Sequence, residues 1–187
     1  MKRIIALGLA MLLLLGGAAL AEEMIAFESY AANLSALSDE SWQEDGSAEI
    51  QVLNLDEQTT LSVATRSGSV LAVTVETVHE GDLYDTALAA LDALGCLSAQ
   101  TLEALPDLTE AEPLVADGYV LGKLSGETRE GIYICAEAEM DAMVWQPVHG
   151  GSRYHDSASC SGMDVARLVT REAAEQAGFE PCGKCKP

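Results

Sequence analysis

The sequence contains few basic residues and few aromatic ones. Of its 187 residues, 10 are Lys or Arg and 30 are Asp or Glu, which gives a formal net charge of −20. Nucleic acids and anionic lipid surfaces are bound through basic surfaces, so we expect neither partner for this chain. Aromatic residues make up only 5% of the chain, and its core must therefore be aliphatic. With 49% hydrophobic residues the chain can bury such a core and is not generically disordered.

After residue 20 the chain has no apolar run long enough to span a bilayer. Its start is different, because two basic residues precede an apolar stretch over 4–20, and residues 19–21 read Ala-Leu-Ala. This order is typical of a secretory signal peptide cleaved after Ala21. We therefore expect a secreted or extracytoplasmic protein. The alternative is an uncleaved anchor, since seventeen apolar residues are at the short limit for a membrane span.

Charge is distributed very unevenly along the rest of the chain. Residues 22–143 contain 25 acids and three bases, whereas residues 144–187 contain five of each. A composition shift of this size suggests a domain boundary. We therefore divide the chain into a signal peptide (1–21), an acidic domain (22–143) and a C-terminal segment (144–187).

The acidic domain is predicted to be α+β, with an antiparallel sheet covered by helices on one face. Apolar residues alternate near 50–55, 61–65 and 71–75, which is typical of half-buried strands joined by short turns. A helical period follows over 82–94 and ends at Gly95. The other predicted elements are a helix within 25–37, a loop over 38–46, a short helix capped by Ser98, and strands near 119–124 and 131–137.

We find no catalytic set in the acidic domain and do not expect an enzyme. Its only histidine is His79, and a solvated position at a strand end is the simpler interpretation of that residue. The acids show no calcium-loop spacing and are expected to form a solvated face. The alternative is an acidic cation-binding domain, with weak Ca²⁺ binding by Asp39, Glu40, Glu44 and Asp45.

The candidate metal-binding residues lie in the C-terminal segment. His155, Cys160, Cys182 and Cys185 follow the spacing H-x4-C-x21-C-x2-C. A C-x2-C turn and a second close pair supply four soft or borderline ligands, which a tetrahedral zinc site requires. Three thiolates and one imidazole make a closed site, so we predict a structural Zn²⁺ ion. If one thiol is not a ligand, an extracellular hydrolase with an open zinc position is the alternative.

Short elements are predicted between these ligands. Two β-like runs, 144–148 and 153–155, flank a glycine-rich turn, and His149 is interpreted as a residue of that turn rather than a ligand. Thr170 can cap a helix over 171–177. A redox C-x-x-C pair normally lies in a thioredoxin-like βαβ pattern, which this segment lacks.

Disulfides are the other common use of cysteine in exported proteins. Five cysteines are an odd number, and an all-disulfide arrangement leaves one over and gives His155 no role. If three cysteines bind zinc, Cys96 and Cys135 remain. These two either form a disulfide or are small buried hydrophobic residues.

Residues 144–187 resemble a known type of zinc module. The pattern Y-H-x4-C-S-G-M, a short helix and A-x-x-G-F-x-P-C-x-x-C looks like a small module of secreted and cell-surface bacterial proteins. Its end is also similar to the metal-binding domain of the Ada DNA-repair methyltransferase. The matching residues are Tyr154, His155, Cys160, Ser161, Gly162, Met163, Ala174, Gly178, Phe179, Pro181, Cys182 and Cys185.

The resemblance implies an Ada-like ββ-knuckle-helix fold and zinc binding, but not repair. In the Ada family a zinc-bound cysteine accepts a methyl group from DNA phosphate, and that acceptor is the first ligand of the pattern. His155 stands at the matching position here. We therefore expect a secreted, non-enzymatic bacterial protein whose zinc module serves an unidentified protein or cell-envelope partner.

Overall fold

The computed structural model describes residues 24–78, 80–185 and 187, without the side chains of residues 80–82. The predicted signal peptide (1–21) and His79 lie outside the described residues. In the part that is described, no helix is both long and apolar enough to cross a membrane.

The centre of the fold is a seven-stranded sheet, which confirms the predicted α+β class. Its strands lie in the order β1-β2-β3-β4-β7-β6-β5, and each neighbouring pair is antiparallel. The pairing of β4 with β7 joins an N-terminal meander to a second one. The strands are β1 (Gln43–Glu44), β2 (Ile50–Asn54), β3 (Thr60–Arg66), β4 (Ser69–Thr77), β5 (Leu114–Ala116), β6 (Tyr119–Ser125) and β7 (Glu130–Ala136).

Three helices cover one face of this sheet, as expected. They are α1 (Phe27–Asn33), α2 (Glu80–Leu94) and α3 (Ala99–Ala104). The helical period of α2 places Ala87 and Leu91 at 0% exposure against the sheet. We name the apolar cluster between these helices and the sheet the helical core.

Two predicted helix ends are present in the structure, but α2 begins at Glu80 and not at the predicted N-cap Asp82, which lies inside the helix. Gly95 follows α2 with a φ of +75°, a left-handed conformation that glycine adopts without strain. Ser98 caps α3 by accepting a hydrogen bond from the Thr101 N–H (3.3 Å), and the Thr101 hydroxyl in turn accepts one from the Ser98 N–H (2.8 Å).

The C-terminal segment covers the opposite face of the sheet. It forms β8 (Met143–Pro147), β9 (Arg153–Tyr154), β10 (Ala166–Thr170), α4 (Arg171–Gln176) and β11 (Glu180–Pro181). Val144, Leu168 and Ala173 pack there with Leu71 and Cys135 of the sheet. We name this second apolar cluster the C-terminal core. The sheet is thus buried on both faces.

The two predicted β-like runs, 144–148 and 153–155, do not form a ladder with each other. β8 forms its antiparallel ladder with β10, a strand that the sequence analysis missed, and β9 pairs in parallel with β11. A single antiparallel bridge between Trp145 and His155 is what joins the two predicted strands. The short edge strand β1 also lies inside the predicted loop 38–46, and β5 was not predicted.

Cys96 and Cys135 do not form a disulfide. Both are free and buried, and they lie on opposite faces of the sheet, Cys96 in the helical core and Cys135 in the C-terminal core. Burial raises the pKa of the Cys135 thiol to about 12, so it remains protonated and packs as a small apolar group.

Candidate metal centre

The four predicted ligands converge at one end of the C-terminal segment. The side-chain donor atoms of His155, Cys160, Cys182 and Cys185 all lie within 4.8 Å of one another. The Cys160 and Cys182 sulfurs are 3.9 Å apart, and the Cys185 sulfur is 3.7 Å from His155 Nδ1. We name these residues the metal-ligand cluster. It is the only group of three or more such donors found within the described residues.

Two parallel strands place half of the metal-ligand cluster. His155 follows β9 and Cys182 follows β11, and the Cys182 N–H donates to the Tyr154 carbonyl oxygen (2.9 Å). The Trp145 bridge fixes the backbone of His155 through two hydrogen bonds of 2.8 Å. Tyr154, at 1% exposure, anchors β9 in the C-terminal core, and its hydroxyl lies 3.0 Å from a Glu175 carboxylate oxygen on α4.

Two tight turns place the other half. Cys160 begins a single 3-10 turn, Cys160–Gly162, whose second residue, Ser161, has a φ of +66°. Cys185 ends the turn that follows Cys182, so both members of the C-x2-C pair face the same point.

The spacing of the donor atoms fits a metal ion and not a disulfide. A tetrahedral site with metal–sulfur bonds of about 2.3 Å holds its sulfurs about 3.8 Å apart. A disulfide brings two sulfurs to about 2.05 Å. The separation of 3.9 Å between Cys160 and Cys182 matches the first arrangement. The cluster can therefore bind a metal ion, and its donor set is compatible with zinc without being specific for it.

Backbone N–H groups point at the cysteine sulfurs. N–H groups of Cys185 and Lys184, the latter at 3.4 Å, lower the pKa of Cys182 to about 6. Burial raises the pKa of Cys185, although the Asp156 N–H donates to its sulfur at 3.3 Å. Hydrogen bonds of this kind favour the thiolate, which is the form that binds a metal.

His149 is not part of the metal-ligand cluster. It lies in the glycine-rich turn, as predicted. Its Nε2 is instead 3.1 Å from Oε1 of Glu76, which is 1% exposed on β4. Burial raises the pKa of the Glu76 carboxyl, and the nearby charges of His149, Arg129 and Arg167 oppose that shift. Arg129 Nη1 lies 3.8 Å from the same carboxylate oxygen.

Glu76 belongs to a polar group buried between the sheet and the C-terminal segment. We name Glu76, Gln146 and Arg167 the buried polar group, since all three are at most 3% exposed. Arg167 Nε donates to the Gln146 side-chain oxygen (3.1 Å), and its Nη2 lies 2.7 Å from the Asp45 carboxylate. Asp45, an acid considered above for Ca²⁺, therefore pairs with an arginine.

The buried polar group was not predicted from the sequence. The acids of residues 22–143 are predicted to form a solvated face, and Glu76 is one of them. In the structure it lies on the face of β4 that is away from the helices and is 1% exposed. The sequence signal that could have revealed it is Arg167, a single charge inside the apolar run 165–169.

Comparison with known proteins found no matching family, no similar curated protein and no similar solved structure. The fold and the metal-ligand cluster are therefore the observations on which a function can be argued.

Proposed function

We propose that the protein is an exported, non-enzymatic protein in which Zn²⁺ holds the C-terminal segment in its fold. The observation that carries the proposal is the convergence of one imidazole and three thiols within 4.8 Å. Zinc prefers such donors, and four protein ligands close its coordination shell. A zinc hydrolase needs an open position for water, so this donor set favours a structural ion.

The small size of the elements around the cluster supports a structural role. β9 and β11 have two residues each, and α4 has six. Elements this short are marginal alone. A metal bound by residues 155, 160, 182 and 185 ties both strands and both turns together, so its binding free energy becomes folding free energy.

The remaining parts of the proposal rest on the sequence. Residues 1–21 support export, and the resemblance over 144–187 supports an Ada-type zinc module without the methyl acceptor. The acidic charge disfavours nucleic acid, so we propose a protein or cell-envelope partner.

Metal analysis of the purified protein tests the structural zinc. We expect one zinc per chain in the parent protein and less than a tenth of that in Cys160→Ser and His155→Ala. Matched controls are His149→Ala and Cys96→Ala, which change the same residue types outside the metal-ligand cluster and should keep one zinc. A metal-free parent protein with oxidised thiols would contradict the proposal.

A further inference from the structure

A small pocket lies beside the buried polar group. Its volume is about 170 Å³, which is below the range of about 300–1,000 Å³ for drug-sized ligands and suits a molecule of a few atoms. Arg167 and Gln146 line it together with the apolar side chains of Pro147, Ala177 and Phe179. No member of the metal-ligand cluster lines this pocket, so it is a separate feature of the C-terminal segment.

Two buried donor groups that belong to this pocket have no partner. Arg167 and Gln146 face each other in the β8–β10 ladder and are 3% and 0% exposed. Arg167 Nη1 and Gln146 Nε2 have no hydrogen-bond partner among the described residues. A buried donor without a partner costs about 1–3 kcal/mol. A ligand that brings acceptor oxygens to both nitrogens would recover this free energy.

One carboxylate is already bound at the Arg167 guanidinium. Arg167 Nη2 lies 2.7 Å from a carboxylate oxygen of Asp45, and Asp45 also lines the pocket. The Asp45 side chain is 58% exposed and that of Arg167 only 3%, so the carboxylate lies on the solvent side of a buried cation. A guanidinium binds a carboxylate best through two parallel hydrogen bonds, and here Nη1 makes none. Asp45 therefore uses only part of what the site offers.

From these observations we infer that the pocket binds a small carboxylate with a short apolar body, and that Asp45 is an internal carboxylate which this ligand displaces. The ligand would accept hydrogen bonds from both terminal nitrogens of Arg167 and from Gln146 Nε2, and its body would contact Pro147 and Phe179. Because one carboxylate replaces another, the charge at Arg167 stays balanced while Asp45 moves into solvent. The inference goes beyond the structural zinc and does not depend on it.

Titration of the full chain with propionate at constant ionic strength tests the pocket. The NMR signals of the Arg167 Nε–H and of the Gln146 side-chain amide are the reporters, and propionamide is a neutral probe of the same size. We expect both signals to shift saturably at millimolar propionate, since Asp45 competes at an effective concentration of that order. Propionamide should bind about tenfold more weakly or less, because it lacks the charge. No saturable shift, or equal affinity for both probes, would overturn the inference.

Variants of the two charged residues test the displacement. Asp45→Ala removes the internal competitor and should tighten propionate binding about threefold or more. Asp39→Ala changes an exposed acid that does not line the pocket and is the matched control, with unchanged affinity expected. Arg167→Lys keeps the charge but loses the planar pair of donors, and it should weaken binding about tenfold. Unchanged affinity in Asp45→Ala would contradict the displacement of Asp45.

Zinc content measured on each of these proteins separates the inference from the proposed function. All of the variants keep the four metal ligands and should keep one zinc per chain. A zinc-loaded parent protein that fails to bind propionate would overturn the carboxylate pocket and leave the structural zinc untouched. A metal-free parent protein that binds propionate would support the pocket and contradict the structural zinc.

Discussion

The two faces of the sheet are held in different ways. The helical core consists mainly of aliphatic side chains from α2 and from the sheet, such as Leu83, Leu91 and Val73, and it also includes Tyr30 of α1. Burying each large side chain of this kind contributes about 1.5–3 kcal/mol. The C-terminal core is also apolar, but Glu76 and Arg167 are buried beside it, and the metal-ligand cluster adjoins it at Tyr154, the residue before His155.

The elements on the two faces of the sheet also differ in how far hydrophobic packing alone can stabilise them. Helix α2 has fifteen residues and buries an apolar stripe, so hydrophobic packing alone can hold it. The C-terminal segment has short strands and a six-residue helix, and it buries charged groups that cost free energy. The helical face should therefore survive changes that release the C-terminal face.

Metal removal should have the largest effect, because structural zinc contributes about 10 kcal/mol or more in small modules. Each face contains one tryptophan: Trp42 packs on Phe27 near the helices, and Trp145 packs on Tyr133 beneath the C-terminal segment. In Trp42→Phe, chelation should shift the Trp145 emission to the red. In Trp145→Phe, the emission of Trp42 should change little. Simultaneous loss of both signals would mean that the two faces unfold together.

A cavity in the helical core should have the next largest effect. Leu91→Ala removes a fully buried side chain and should lower the free energy of unfolding by about 2–5 kcal/mol, measured by urea titration. The matched control, Leu102→Ala at a 47% exposed position, should change it by less than about 0.5 kcal/mol. Both variants should retain their zinc. Loss of zinc from Leu91→Ala would contradict the independent stability of the two faces of the sheet.

The contact between the sheet and the C-terminal segment can be tested at Gly126. A Cβ atom there would overlap the carbonyl oxygen of Asp164, whose carboxylate accepts hydrogen bonds from the Thr128 N–H (2.8 Å) and hydroxyl. Gly126→Ala should therefore cost about 1–3 kcal/mol in unfolding experiments, with Glu127→Ala in the same turn as a neutral control. Equal stability of the two variants would show that this contact does not hold the layers together.

The smallest expected effect is a pH dependence at Glu76. Burial raises its pKa above 4.5, so the folded state retains a proton that the unfolded state has already lost. Stability from this group is present below pH 4.5 and is lost as the pH rises through the raised pKa. Relative to Glu76→Gln, the parent protein should therefore lose stability as the pH is raised from about 4 to about 7 in urea titrations. A stability difference that grows in the opposite direction would contradict the raised pKa.

Local patterns in the sequence predicted the elements in which apolar residues recur with a regular period. Alternation located β3 and β4, the helical period located α2, and the C-x2-C spacing indicated a group of residues that the fold does bring together. These signals are local, since each depends on residues that are close in the chain. The division at residue 143 rests on composition and stays a prediction; in the structure the C-terminal segment shares its core with the sheet.

Tertiary burial explains what the sequence did not reveal. β10 is buried at every residue, including Arg167, so it lacks the alternation by which strands are recognised. Glu76 fits the alternation of β4, which predicts that its side chain faces solvent. In the structure the C-terminal segment covers that face of the sheet. The parallel pairing of β9 with β11 joins residues 27 positions apart, from Arg153 to Glu180, and no local pattern encodes it.

X-ray absorption at the zinc edge of the purified protein tests the structural zinc most directly. The metal-ligand cluster predicts three sulfur ligands at about 2.3 Å and one nitrogen ligand at about 2.0 Å. An oxygen ligand in place of one sulfur would indicate an open, catalytic position. A spectrum with no zinc bound to sulfur would contradict a metal-held C-terminal segment altogether.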